Sequence, residues 1–357
     1  MVQPKAHGFF SRQNDGCMMT ELFFNGDEHR LMAFIAEQQY NQIILLADTN
    51  TNGHCIPLLR NLLPRLMNSN RIVIPSGEQN KTLDVSCLIW TELNRLNAGR
   101  SSLLINIGGG MVSDIGGFAA SVFKRGMDFI NIPTTLLSMT DACYGGKTGI
   151  DFNGLKNNLG TFQEPLAIYI HPIFLQTVPD RILKSGLAES VKHALLTSHD
   201  QFRYYCQAPF ADLISVDAIR NSIAVKMSIV TKDPKDQNLR QTLNLGHTIG
   251  HAIESYFLQT NTPLLHGEAV LLGLKHEIKL SEGIFGLSET VLNELMIFKE
   301  KHFAELKVSY SYSDIRDFLL HDKKNKTGIR MSLLKNPGDC EIQVLVQDHQ
   351  VMETFTI

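Results

Sequence analysis

Long apolar runs are missing from this 357-residue chain, and no stretch approaches the roughly 18–20 residues that a membrane span requires. The opening residues, MVQPKAHGFFSRQND, hold no apolar run of signal-peptide length, which argues against secretion. Basic residues are not in excess: 33 Lys+Arg stand against 36 Asp+Glu, a formal charge of -3. That balance excludes a global basic field for nucleic acid, so any anion must be held by local clusters. Cysteine is sparse and scattered, at positions 17, 55, 87, 143, 206 and 340, with no CxxC pair. This excludes a disulfide framework and a cysteine-type zinc site, and suits reduced thiols in a cytoplasm. Repeats and low-complexity segments are also absent.

What remains is an ordinary globular composition, 43% hydrophobic and 19% charged. The length suggests two domains of about 100–200 residues each, enough to bury a core without covalent staples. In the first half, short β-type runs (Ile43–Ala47, Arg71–Ile74, Leu103–Ile107, Phe129–Ile132) alternate with helical patterns at about His54–Leu66, Leu83–Leu96 and Val112–Phe123. Alternation of this kind predicts βαβ units and a parallel sheet that binds ligands at its carboxyl edge. After Pro179, apolar residues recur three or four apart over Arg181–Thr197, Asp217–Lys232, Leu239–Phe257, His266–Glu282 and Glu289–His302, which predicts helices. Gly328–Leu334 and Cys340–Val346 read as short strands. The boundary falls near 165–180, dividing the chain into residues 1–172 and 173–357.

Three sets of residues carry chemistry. Leu103–Ile107 runs into Gly108-Gly109-Gly110 and then a helix with Asp114. Glycines let a phosphate approach the backbone, and a helix start offers free N–H groups; the plain alternative is a tight turn. A second glycine loop spans residues 141–149 and contains Gly-Gly-Lys147-Thr, without the spacing of a P-loop. The most informative segment is 240–254. On one continuous helix, Arg240, Asn244, His247, His251 and Glu254 would form a stripe. Gly246 and Gly250 inside that helix would cost about 1 kcal/mol each against alanine, which predicts close approach of a partner or ligand. Glu189, with Lys192 and His193 at i+3 and i+4, lies on an earlier helix, and His266 opens a later one. A catalytic zinc site takes three His or carboxylate ligands, so Glu189 plus two of His247, His251 and His266 meets the rule. Spacing favours the i,i+4 pair His247 and His251. Arg125, Lys147, Lys156, Lys192, Lys226, Arg240, Lys323 and Lys324 form a basic set, several of which would converge on an anionic substrate.

These stretches together resemble the 3-dehydroquinate synthases of the sugar-phosphate cyclase family. The resemblance rests on GGGMVSDIGGFAASVFKRG (108–126), IPTTLLSMTDACYGGKTGID (132–151), LKNNLGTF (155–162), SGLAESVKHALL (185–196), LRQTLNLGHTIGHAIES (239–255), LHGEAVLLGL (265–274) and DKKN (322–325). It implies an N-terminal Rossmann-like α/β domain that binds NAD, a mostly α-helical C-terminal metal-binding domain, and Zn²⁺ or Co²⁺. It implies a sugar-acid phosphate substrate, 3-deoxy-D-arabino-heptulosonate 7-phosphate, converted in the shikimate pathway to 3-dehydroquinate and phosphate. The implied route is transient oxidation, β-elimination of phosphate, reduction, ring opening and intramolecular aldol closure.

Carried over by position, the implied metal ligands are Glu189, His247 and His266, which replaces His251 by His266. The implied NAD contacts are Asp48, Asn50, Glu78, Lys81, Gly109, Gly110, Asp114, Thr134, Thr135, Leu137, Ser138, Lys147, Lys156 and Thr177. The implied substrate contacts are Asp141, Lys147, Asn157, Lys192, Lys226, Arg240, Asn244, His251 and one of Lys323 and Lys324. Arg125 would reach a partner subunit's site, implying a homodimer. The chain departs from the family pattern at Thr140, at Tyr144, in Asp233-Pro-Lys-Asp236, and in about three extra residues between the two metal histidines. Rival readings are another sugar-phosphate cyclase or a glycerol-dehydrogenase-type oxidoreductase.

Overall fold

The computed structural model describes residues 20–153, 155–320 and 328–355. Its first half is built on β1 (Glu21–Phe24), β2 (Gln42–Asp48), β3 (Asn70–Ile74), β4 (Ser102–Gly108), β5 (Asp128–Pro133) and β8 (Ala167–Ile170), with the hairpin β6 (Lys147–Phe152) and β7 (Leu155–Phe162) between. The six strands outside the hairpin pair in parallel, in the order β1-β8-β5-β4-β2-β3. Both faces are covered, so β2 and β4 read as continuous apolar runs rather than alternating ones. Ile44, Leu46 and Leu104 point into a layer with Ile89 and Ile115. Leu45, Leu103 and Ile105 point the other way, into a core shared with Leu31 and Leu59.

The helices of this half are α1 (Glu28–Glu37), α2 (Thr49–Leu62), α3 (Leu83–Arg95) and α4 (Gly110–Val122). α2 begins five residues earlier than its apolar pattern, because Asp48 caps it: its carboxylate accepts the Thr51 N–H at 2.7 Å. It stops at Leu62 because Pro64 opens a separate 3₁₀ turn, Pro64–Asn68. The chain leaves β2 outward to β3, then crosses back over β2 to reach β4. The connections therefore diverge between β2 and β4, and the carboxyl ends there are Asp48 and Gly108. This is the crevice where open parallel sheets take their ligands.

The second half is mostly helical: α5 (Asp180–Leu195), α6 (His199–Gln207), α7 (Phe210–Leu213), α8 (Val216–Val230), α9 (His247–Leu258), α10 (His266–Phe285), α11 (Glu289–His302), α12 (Tyr312–Leu320) and α13 (Asp348–Glu353). The antiparallel hairpin β9 (Ile329–Asn336) and β10 (Asp339–Val346) closes it. Serines at 198, 215 and 288 cap α6, α8 and α11. Among the described residues no helix is long and apolar enough to cross a membrane.

One predicted helix is wrong in an informative way. Leu239–Phe257 is not continuous. Leu239–Asn244 is a 3₁₀ turn, Leu245 is extended, and Gly246 is left-handed at φ +79°, so α9 begins at His247. Arg240 and Asn244 therefore leave the stripe. The glycines do answer a close approach, but the partner is α10 rather than a ligand. A Cβ on Gly246 would lie 2.7 Å from Leu274 Cγ, and one on Gly250 would lie 3.0 Å from the Ala269 carbonyl.

Candidate active site

Three helices bring Glu189, His247 and His266 together, and small residues let them do so. A Cβ on Gly267 would lie 1.9 Å from the Ser185 carbonyl, so α10 and α5 touch backbone to backbone one turn from Glu189. A Cβ on Gly273 would lie 2.1 Å from the Gly246 carbonyl, so α10 and the start of α9 do the same. At the meeting point Glu189 Oε1 is 3.3 Å from His247 Nε2 and 3.5 Å from His266 Nε2. The hydrogen-bond network assigns the tautomer of His247: its Nδ1–H donates to the Leu245 carbonyl at 3.1 Å, leaving Nε2 for the site. His266 Nδ1 lies 3.5 Å from Glu254 Oε2, an outer carboxylate that orients the ring.

The donor set fits a divalent metal. Glu189 is fully buried, yet neither carboxylate oxygen accepts a well-formed hydrogen bond; its charged neighbour is Lys192, also buried. Burial alone would raise the Glu189 carboxyl, but Lys192 and His247 hold it well below the usual carboxylate range. Burial likewise opposes charge on His266, but Glu189 and Glu254 outweigh it and push that imidazole up to about 9. The pocket thus offers a carboxylate and two imidazoles, the ligand types of catalytic zinc. His251 borders the same rim, its ring centroid 5.2 Å from that of His247. His247, His251 and His266 form one set of donors within 4.8 Å of one another, and Asp141, Glu189 and His193 form another. The second set is less free, because Asp141 and His193 are already engaged with other partners.

That engagement links the two halves. A π-type turn, Ser138–Ala142, runs off the end of β5 into the helical half. Asp141 accepts from Lys226 Nζ at 2.7 Å on α8 and from His193 Nε2 at 3.2 Å on α5. His193 Nδ1 in turn accepts from the Ser222 hydroxyl at 2.6 Å. Burial would raise Asp141, yet Lys226 and Lys192 hold it well below the usual range. The unusual Thr140 and Tyr144 are both satisfied inside this turn: their hydroxyls donate to the carbonyls of Leu136 at 2.9 Å and Met139 at 2.8 Å.

Among the described residues, the basic set does not converge as free cations. Lys147 pairs with Asp236, and Lys156 with Glu254 at 2.7 Å. Lys81 is buried between Asp114 at 2.6 Å and the Asn157 side-chain oxygen at 2.5 Å. Burial pushes Asp114 up to about 6, despite Lys81 beside it. Arg240 donates through Nη1 to the carbonyls of Gly145 and Pro234, both at 2.9 Å. Asp233 organises that loop by accepting the N–H groups of Gln237, Asn238 and Arg240. Asn244 is exposed on the neighbouring turn.

At the sheet's carboxyl edge, Gly109 and Gly110 open α4 against Thr135, whose hydroxyl is 2.9 Å from that of Ser138. Asp48, Thr134 and Thr177 gather around Cys55, whose Sγ lies 3.5 Å from Thr177 Oγ1. Leu137 is half-buried in the same turn region, whereas Asn50 and Glu78 lie exposed at the rim. Arg125 is not brought to this site. It is exposed beyond the carboxyl end of α4, whose 13 residues span about 20 Å. Lys323 and Lys324 lie outside the described residues. The sequence reading gave no role to two acids, Asp236 and Glu277. The first would have been found only by asking what balances Lys147, and the second by asking why an acid sits on an apolar helix face.

A parallel sheet with a glycine turn at its switch point, joined to a mostly helical half, is the fold this chain shares with solved sugar-phosphate cyclases and iron-containing alcohol dehydrogenases. The chain is similar in fold to a 2-deoxy-scyllo-inosose synthase solved with carbaglucose-6-phosphate, NAD⁺ and Co²⁺ (TM-score 0.81, 22% identity, 94% of this chain and 95% of that one). It is similarly close to the 2-epi-5-epi-valiolone synthase of Streptomyces hygroscopicus solved with NAD⁺ and Zn²⁺ (TM-score 0.81, 23% identity, 97% and 98%). An iron-containing alcohol dehydrogenase of Thermotoga maritima is more distant (TM-score 0.61, 14% identity, 96% and 99%). The particular family follows from sequence. The 3-dehydroquinate synthase N-terminal family matches residues 71–185, and the C-terminal family matches 186–325. The 3-dehydroquinate synthase of Parabacteroides distasonis is 39% identical over 333 residues, 91% of this chain and 93% of that protein. That of Bacillus pumilus is 35% identical over 326 residues, 88% of each. The chain belongs to the 3-dehydroquinate synthase family.

Proposed function

We propose that the chain converts 3-deoxy-D-arabino-heptulosonate 7-phosphate to 3-dehydroquinate and phosphate, with NAD⁺ returned unchanged at each turnover. The observation that carries this reading is the buried Glu189, lacking a well-formed hydrogen bond, facing two imidazole Nε2 atoms. It stands next to a glycine turn at the sheet's switch point, in a chain whose family matches span residues 71–325 and so reach into both halves. We divide the chain at 172/173, between β8 and α5, with the site between the two parts.

Glu189, His247 and His266 would hold the metal, and the carboxyl edge around Asp48, Gly109, Gly110, Thr134 and Thr135 would hold the dinucleotide. When bound, the metal supplies Lewis acidity toward the substrate's hydroxyls, and NAD⁺ supplies reversible hydride acceptance. The chain's own residues bind and orient. Lys147, Lys192, Lys226, Arg240 and one of Lys323 and Lys324 would receive the substrate's carboxylate and phosphate through charge-assisted bonds. Asp141 keeps Lys226 and His193 in place, its carboxylate accepting from both. Because Lys147, Lys156 and Lys226 start out paired with Asp236, Glu254 and Asp141, an arriving anion exchanges one partner for another rather than desolvating a bare ammonium. The single test is product stoichiometry at trace NAD⁺: phosphate and 3-dehydroquinate in equal amounts support the reading, and accumulating NADH overturns it.

The protein would act as a homodimer, with Arg125 directed at its partner. The support is surface chemistry: Arg125 is exposed near Val122, and β7 exposes Leu155, Leu159 and Phe162. Exposed apolar side chains on a strand edge favour pairing with another chain. Light scattering on the purified protein should give twice the chain mass of 40.0 kDa. A single-chain mass at working concentration would remove the dimer and Arg125's role with it.

A further inference from the structure

α10 carries a buried acid that the chemistry above does not use. Glu277 is fully inaccessible. Its Oε2 accepts the Gly246 N–H at 2.5 Å, and its Oε1 accepts the Ile249 N–H at 3.1 Å. Those donors flank His247, the first residue of α9. An α-helix leaves its first N–H groups without partners in the helix, and a carboxylate there both bonds them and complements the helix dipole. The usual device is a short capping side chain from the preceding residue. Here that residue is Gly246, which has no side chain, and the cap comes from another helix.

Position matters as much as bonding. His266, Gly273 and Glu277 are spaced by seven and four residues, so they lie along one face of α10. One end of that face presents an imidazole to the site. Gly273 lets the Gly246 carbonyl lie against the helix, and Glu277 grips the N–H groups on either side of His247. One rigid helix therefore carries one imidazole and fixes the backbone that carries the other. A neutral apolar side chain would satisfy a helix packing surface; Glu277 instead presents two acceptor oxygens to the start of α9.

We propose that Glu277 is a positioning residue for metal binding: from α10 it clamps the amino end of α9 and so sets the distance between His247 and His266. This rests on the reading of His247 as a ligand. The experiment is Co²⁺ titration of metal-free full-length protein, followed by visible absorption and by circular dichroism. Glu277→Ala should keep its helical signal, bind Co²⁺ about 10–100-fold more weakly, and shift the absorption bands that report coordination geometry. Should the alanine variant fail to fold, Glu277→Gln decides. It has the same shape, and its amide oxygen can accept only one of the two N–H bonds in place, so it should also bind more weakly with shifted bands. Parental affinity and parental bands in either folded variant overturn the proposal. His247→Ala in parallel separates the two claims. If it too binds Co²⁺ normally, the ligand reading fails; if it loses binding while the Glu277 variants do not, only the positioning role fails.

Discussion

Glu189→Gln should abolish tight metal binding and, with it, turnover. The effect on metal affinity should exceed the 10–100-fold that loss of an orienting neighbour typically produces, because a coordinating oxygen itself loses its charge. The substitution also strands Lys192, which is 1% exposed and has Glu189 as its ion-pair partner. Removing one member of a buried pair costs roughly 3–5 kcal/mol, unless the survivor sheds its charge. The two consequences can be separated. Adding Lys192→Met removes the stranded ammonium and should recover much of the stability, measured by thermal unfolding, while leaving metal content at zero. A Glu189→Gln protein that retains one metal ion per chain would remove Glu189 from the ligand set.

Gly267→Ala should be the most damaging single methyl in the helical half. Its Cβ would stand 1.9 Å from the Ser185 backbone oxygen, and backbone cannot swing aside as a flexible side chain can. Overpacking typically costs about 1–3 kcal/mol and occasionally more. The added methyl acts as a wedge between α5 and α10, so the separation of Glu189 from His266 grows with it. Weakened metal binding should therefore accompany the loss of stability. Gly283, on the same helix, gives the contrast: a Cβ there meets nothing within 4 Å. Gly283→Ala should stabilise by up to about 1 kcal/mol, since alanine is the better helix former. Equal melting temperatures for the two variants would contradict the close-packing account of the site.

Much of the frame was legible because it follows from periodicity. The apolar runs of β2, β4 and β5 and the three-and-four spacing of α10 and α11 placed those elements within a few residues. The hairpin β6–β7 is not legible in the sequence, where residues 141–149 read as a glycine loop and 150–162 carry no strand signal. Gly149 and Gly160 face each other across it, where a Cβ would meet the opposite strand's carbonyl, so glycine replaces the β-branched signal. The break before α9 was also hidden, because Leu243, Leu245, Ile249 and Ile253 continue an apolar pattern through a turn that one left-handed glycine makes.

For the site, spacing alone favoured His247 with His251. The structure brings Glu189 within 3.5 Å of the His247 and His266 ring nitrogens, a meeting that depends on how α10 crosses α9 and α5. The pairing of cations was out of reach for a similar reason. Lys147 and Asp236 are 89 residues apart, and Lys156 and Glu254 are 98 apart. No local pattern carries that information, whereas the motifs that name the family do survive in local sequence.

The most direct test of the account is one assay of purified, Zn²⁺-loaded protein with 3-deoxy-D-arabino-heptulosonate 7-phosphate and trace NAD⁺, following phosphate, 3-dehydroquinate and NADH absorbance together. The account predicts equal amounts of phosphate and 3-dehydroquinate, many turnovers per NAD⁺, and no net NADH. Absence of phosphate release, with NADH accumulating on a simple polyol, would contradict it and place the chain among the metal-dependent dehydrogenases that share its fold.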